Sequence, residues 1–81
     1  MLPAEREEKV REIICDVLEL EGEELTAAGR FREEYGADSM NAVEIQSQIE
    51  VALDMEIPRE DLRRMVDLKT VLEILETAKA R

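Results

Sequence analysis

Val10-Arg11-Glu12-Ile13-Ile14-Cys15-Asp16-Val17-Leu18 decides the architecture of this chain. Val10, Ile13, Ile14, Val17 and Leu18 follow the i, i+3, i+4, i+7, i+8 spacing that gathers apolar side chains on one face of an α-helix. A strand would need alternation, which this stretch lacks. Upstream, Pro3 followed by Glu5, Glu7 and Glu8 marks a helix start. Proline is tolerated in a first turn, and carboxylates are favoured near the positive end of the dipole. Downstream, Gly22 is the expected stop, so the first helix is predicted to run from about Ala4 to Leu20.

Between Glu21 and Asp38 no period is sustained, and Gly22, Gly29 and Gly36 punctuate the stretch. Leu25 and Phe31 are its expected anchors, and a loop this long in a small domain points to function. A second helix is predicted from Asp38 or Ser39 to about Leu53, and Pro58 breaks the chain after Ile57. Glu60 to Met65 can form one short helical turn with Leu62 inward. Asp67 or Thr70 can cap a last helix on which Val71, Ile74, Leu75 and Ala78 form the buried stripe. The expected fold is all-α: a small four-helix bundle of three main helices and one short one, with a long loop between the first two. No repeat, low-complexity tract or linker interrupts the 81 residues, which read as a single domain, 1–81.

Apolar residues make up 44% of the chain, yet Phe31 and Tyr35 are its only aromatics, so the core must be aliphatic. Eleven bases against twenty-one acids leave a net charge of −10. That balance argues against nucleic-acid binding and against docking on anionic membrane. It points to protein partners with basic patches, found by electrostatic steering. Histidine is absent and Cys15 is the sole cysteine, so no zinc cluster, intrachain disulfide or imidazole base is available, and no metal site is expected. Cys15 is expected as a small apolar filler at the core edge. The N-terminus has no apolar signal-peptide core, and no stretch nears the roughly 20 apolar residues of a membrane span. A cytoplasmic protein is expected.

Tyr35-Gly36-Ala37-Asp38-Ser39-Met40 carries the chemistry. Gly36 permits a turn that side-chained residues resist. Asp38 is a strong N-cap, which leaves Ser39 at the first helical position with its hydroxyl exposed and not consumed by capping. A phosphate ester on Ser39 would lie near the positive end of the helix dipole. Ser39 is not a catalytic nucleophile, because the chain has neither a histidine nor a G-x-S-x-G elbow.

Gly36-Ala37-Asp38-Ser39-Met40 resembles the phosphopantetheine attachment motif of acyl carrier proteins, usually Gly-x-Asp-Ser-Leu. The likeness covers nearly the whole chain. Leu25 and Phe31 precede the motif as loop anchors, Glu44 follows it, Glu56-Ile57-Pro58 closes the helix region, and Leu68 with Thr70-Val71 opens the last helix. The resemblance implies that Ser39 receives a 4'-phosphopantetheine arm from coenzyme A, with Asp38 as motif residue and cap, and that the arm's thiol holds acyl groups as thioesters. It implies a carrier without catalytic residues, a monomer when free. Its partners would be a phosphopantetheinyl transferase, a ketosynthase, and acyltransferase or ketoreductase-type enzymes of fatty-acid or polyketide synthesis. Met40 stands where leucine is commonest, a substitution of similar volume. Asn41 replaces a frequent acid, which bears on which partners dock well.

The predicted second helix has two faces. At about 100° per residue, Ala42, Ile45, Ile49, Ala52 and Leu53 cluster on the side expected to face the core. With Met40 as zero, Glu44, Ser47 and Val51 fall at about +40°, −20° and +20°, on the opposite side. This ridge is more apolar than a plain solvent face and is expected to dock partners, helped by Glu50. Residues 38–61 carry seven acids (Asp38, Glu44, Glu50, Asp54, Glu56, Glu60 and Asp61) and one base, Arg59, a balance of −6. Arg63 and Arg64 are expected to be ordinary solvated charges.

A peptidyl or aryl carrier and a helical protein-interaction module with an unmodified Ser39 are the alternative readings. The acidity and Ala37-Asp38-Ser39 favour the acyl type. A calcium sensor would need a D-x-[DN]-x-[DN]-G loop, which is missing. Both ends lie close to the outer helices, so a free-standing chain is expected. Fatty-acid, polyketide and specialised secondary pathways all fit.

Overall fold

The computed structural model describes residues 2–80, with side chains described for residues 2–78. Helix α1 spans Pro3–Leu18, with Pro3 in its first turn and Glu5 beside the positive dipole end. Its predicted stripe turns inward: Val10, Ile13 and Ile14 are buried, and Val17 and Leu18 pack half-buried against the core. The helix ends before Gly22. Glu19 adopts the left-handed conformation, φ 56°, and the Leu20 amide returns to the Cys15 carbonyl at 2.8 Å. A non-glycine residue therefore closes α1 and swings Leu20 back toward the core. Gly22 instead opens a 3-10 turn, Gly22–Glu24.

The long loop holds a helix that no period announced. Helix α2, Phe31–Tyr35, makes little more than one turn and buries only Phe31, so it has no repeat to read. Long-range bonds fix the rest of the loop. Arg11 Nη1 donates to the Leu25 carbonyl at 2.6 Å. Tyr35 Oη donates to the Glu24 carbonyl at 3.0 Å and accepts the Thr26 amide at 3.1 Å. The Phe31 amide reaches the Val66 carbonyl at 2.9 Å, and the Lys69 amide reaches the Ala27 carbonyl at 3.0 Å. Leu25 and Phe31 are buried anchors, as expected. The loop is a packed connector.

Helix α3, Ser39–Leu53, buries Ile45 and Ile49 and half-buries Ala42 and Leu53. Ala52, expected inward, is exposed: it lies at the edge of the buried arc and borders a groove between α1 and α3. The predicted turn over 60–65 is a 3-10 helix, Arg59–Arg64. Leu62 is only half-buried there, because Ile57 and Met65 on either side take the core positions. Helix α4, Leu68–Thr77, shows that both cap candidates serve one capping box. Asp67 Oδ1 accepts the Thr70 amide at 2.8 Å, and Thr70 Oγ1 accepts the Asp67 amide at 3.1 Å. Leu68, Val71, Ile74 and Leu75 are buried, whereas Ala78 lies past the helix end and is half-buried.

An antiparallel ribbon of β1, Met55–Glu56, and β2, Lys79–Ala80, pairs Met55 with Ala80 and Glu56 with Lys79. It is too short to leave an alternating pattern. The all-α expectation holds apart from this ribbon. Helix α1 packs most extensively on α3, and α4 completes the core. Val10, Ile14, Ile45, Ile49, Leu68, Val71 and Leu75 are fully buried, and no polar or charged residue is buried among the described residues. Each such side chain contributes about 1.5–3 kcal/mol, so stability rests on this aliphatic seam.

Candidate functional site

Ser39 opens α3, and the residues around it explain its presentation. Gly36 ends α2 at φ 69°, and a Cβ there would meet open space, so glycine answers to the backbone angle rather than to crowding. Its amide bonds to the Arg32 carbonyl at 3.2 Å and the Ala37 amide bonds to the Phe31 carbonyl at 2.9 Å, which turns the chain sharply. Asp38 Oδ1 then accepts the Asn41 amide at 2.9 Å, while Asn41 Oδ1 accepts the Asp38 amide at 3.0 Å. The cap is complete without Ser39, whose side chain is exposed. Asn41, the departure from the usual acid, is what closes this box.

The amides of Ser39 and Met40 lie in the first turn and have no intrahelical acceptor, so an anionic ester on Ser39 would meet the positive end of α3. The local geometry fits a phosphodiester. Beside Ser39 lies a cleft of about 240 Å³, with Phe31, Ala37, Ala42, Ile45, Met65 and Val66 as its apolar lining. Its rim is formed by exposed Arg32, Glu33, Asp38 and Ser39. An apolar floor at the foot of an exposed hydroxyl fits a flexible arm. A larger groove, about 490 Å³, runs between α1 and α3 and borders Ser47 and Val51. Among the described residues no three metal-ligating side chains converge.

The predicted ridge lies on the surface. Met40 is 79% and Val51 75% exposed, and Glu44 and Ser47 are exposed between them. Val43, half exposed at about −60° from Met40, broadens the ridge; carrying the same angular arithmetic through every residue would have found it. Glu50 is placed differently. It is half-buried, and its Oε2 accepts the Ile57 amide at 2.8 Å, while Gln46 Nε2 donates to the Ile57 carbonyl at 3.4 Å. Arg64 is not merely solvated, since it pairs with Asp61 at 3.0 Å. Cys15 sits half-buried against the core, and burial pushes its thiol above the ordinary range, in keeping with a filler.

The family described as the phosphopantetheine attachment site matches residues 8–78. The chain belongs to the acyl carrier protein family. It is 36% identical over 77 residues to polyketide-8 synthase acyl carrier protein 1 of Streptomyces avermitilis, covering 95% of this chain and 92% of that one. An acyl carrier protein of Akkermansia muciniphila is 39% identical over 70 residues, 86% of this chain and 88% of that one. One of Syntrophus aciditrophicus is 38% identical over 69 residues, with shares of 85% and 86%. The carrier is accordingly not a catalyst; its cofactor is phosphopantetheine, and it works with biosynthetic enzymes. Among the described residues no helix is long and apolar enough to cross a membrane.

Proposed function

We propose that Ser39 is the attachment point of the 4'-phosphopantetheine arm, and that the carrier presents acyl or polyketide intermediates to enzymes of fatty-acid or polyketide biosynthesis. The observation that carries this reading is the exposed Ser39 side chain at the start of α3, left out of a cap that Asp38 and Asn41 complete. When bound, the arm supplies a thiol that holds acyl groups as thioesters. The chain's own part is to hold the ester at the positive end of α3, fix its direction through the Gly36–Asp38 turn, and offer an apolar cleft at its root.

Met40, Glu44, Ser47 and Val51, with Val43 beside them, form the docking ridge, and Glu50 adds charge next to it while anchoring Ile57. The partners are a phosphopantetheinyl transferase, then ketosynthase, acyltransferase or ketoreductase-type enzymes with basic docking patches. Weak, salt-sensitive rim contacts suit a shuttle that must release each partner. Between visits the carrier is a cytoplasmic monomer built as one domain.

Incubation with coenzyme A and a broad-specificity phosphopantetheinyl transferase tests the assignment by intact mass. The chain should gain one arm, and Ser39→Ala should gain none. An arm found on Ser47 would overturn the assignment. Intact mass of the protein isolated from its native host then reads the cargo.

A further inference from the structure

We infer that Arg32 binds the phosphodiester of the arm and holds the arm's root against the cleft, an inference that rests on Ser39 being the attachment point. Between Arg11 and Arg59 the chain carries thirteen acids and only two bases, Arg30 and Arg32. Of these two, only Arg32 lines the cleft whose rim Ser39 shares; Arg30 precedes α2 as its exposed N-cap. Arg32 is held in place through its neighbour. Phe31 is buried, and its amide is bonded to the Val66 carbonyl at 2.9 Å, so α2 cannot swing its second residue away from the cleft. The Arg32 guanidinium is exposed and forms no ion pair among the described residues, although Glu33 and Asp38 line the same cleft.

A phosphodiester on Ser39 adds a full negative charge beside Asp38 in a chain already at −10. Repulsion from the surrounding acids then favours whichever arm orientation meets a cation. Arginine suits the task, because its planar fork donates two parallel N–H bonds to a pair of phosphate oxygens. The apolar floor of Phe31, Ile45 and Met65 excludes water from one side of such a pair and strengthens it. Among the described residues, no existing ion pair of Arg32 has to break first. Arg32 and Ser39 line the same cleft of about 240 Å³. The arm's root is thereby drawn toward the cleft and away from the ridge of Met40, Glu44, Ser47 and Val51, which keeps that ridge clear for partners.

The test converts the wild type, Arg32→Gln, Arg32→Lys and Arg30→Gln to the arm-bearing form and confirms one arm on each by intact mass. Phosphorus NMR then follows the phosphodiester from about 0.01 M to 1 M salt, a range over which screening shortens from about 30 Å to 3 Å. In the wild type and Arg30→Gln the resonance should move as the pair is screened. In Arg32→Gln it should start at the high-salt position and stay there, with Arg32→Lys in between. Adding the arm should lower the melting temperature of Arg32→Gln by about 1–5 °C more than that of the wild type. Superimposable resonances, with equal melting shifts in the two proteins, would overturn the assignment; Arg32 would then only offset Glu33 and Asp38 in the unmodified chain. If intact mass finds no arm on any variant, the reading of Ser39 fails and the role of Arg32 falls with it.

Discussion

The Glu50 carboxylate accepts the Ile57 amide at 2.8 Å and so ties the last turn of α3 to the segment that follows it. That bond separates two acids that look alike in the sequence. Glu44 is exposed, with Gln48 Nε2 at 3.4 Å on its carboxylate, whereas half-buried Glu50 holds backbone in place.

Glu50→Ala should therefore act on stability first. Losing a charged acceptor from a partly buried amide costs about 1–2 kcal/mol, or roughly 4–16 °C in melting temperature for a domain of this size. Glu44→Ala should leave the melting temperature within about 0.5 kcal/mol of the wild type. It should instead lower transferase kcat/KM about 2–10-fold at low salt, through slower association. Equal melting of the two variants would remove the distinction.

Gly29 is buried, and a Cβ there would collide with Tyr35 Oη and come within 2.6 Å of Thr26 Oγ1. Gly29→Ala should thus displace the hydroxyl that ties Tyr35 to Glu24 and Thr26. The expected loss is about 1–3 kcal/mol, read from urea midpoints. Tyr35→Phe removes the colliding atom, so the double variant should lose less than the sum of the two single changes. Strict additivity would show that the two sites are uncoupled.

Helices α1 and α3 both end on an acidic residue in the left-handed region, Glu19 at φ 56° and Asp54 at φ 52°. Glycine adopts that conformation without the Cβ penalty. Glu19→Gly should raise stability by about 0.5–1 kcal/mol. Asp54→Gly should gain less, because aspartate tolerates the region better than glutamate. Thermal melts decide, and a fall in melting temperature for Glu19→Gly would refute the strain argument.

Arg64–Asp61 pairs one base with one acid, in a chain where acids outnumber bases twenty-one to eleven and the net charge is −10. Repulsion should therefore outweigh attraction at neutral pH. Raising salt from about 0.01 M to 0.15 M shortens the screening length from about 30 Å to 8 Å and should raise the melting temperature. A flat or falling series would mean that attractive pairs dominate.

Much of the fold was legible because its causes act over short stretches of chain. The stripe of Val10, Ile13 and Ile14, the proline at Pro3, and the Asp38 and Asp67 caps each depend on residues within a turn or two of one another. Asp38-Ser39 at the start of α3 is local in the same sense, so the candidate attachment point could be read before any tertiary contact was known. Glu19 as a helix end was not legible, since glutamate rarely adopts that angle and Gly22 is the more usual stop.

The sequence by itself determined three main helices, an aliphatic core, an acidic surface and a serine standing free at a capped helix start. Only the tertiary structure decided that Phe31–Tyr35 is helical, that Met55–Glu56 pairs with Lys79–Ala80, that Glu50 holds Ile57, and that Arg32 and Ser39 share one cleft. Each of these features joins segments brought together by packing, or is too short to show a period. The information that sets them lies in which surfaces are left to meet once the long helices have buried their apolar faces.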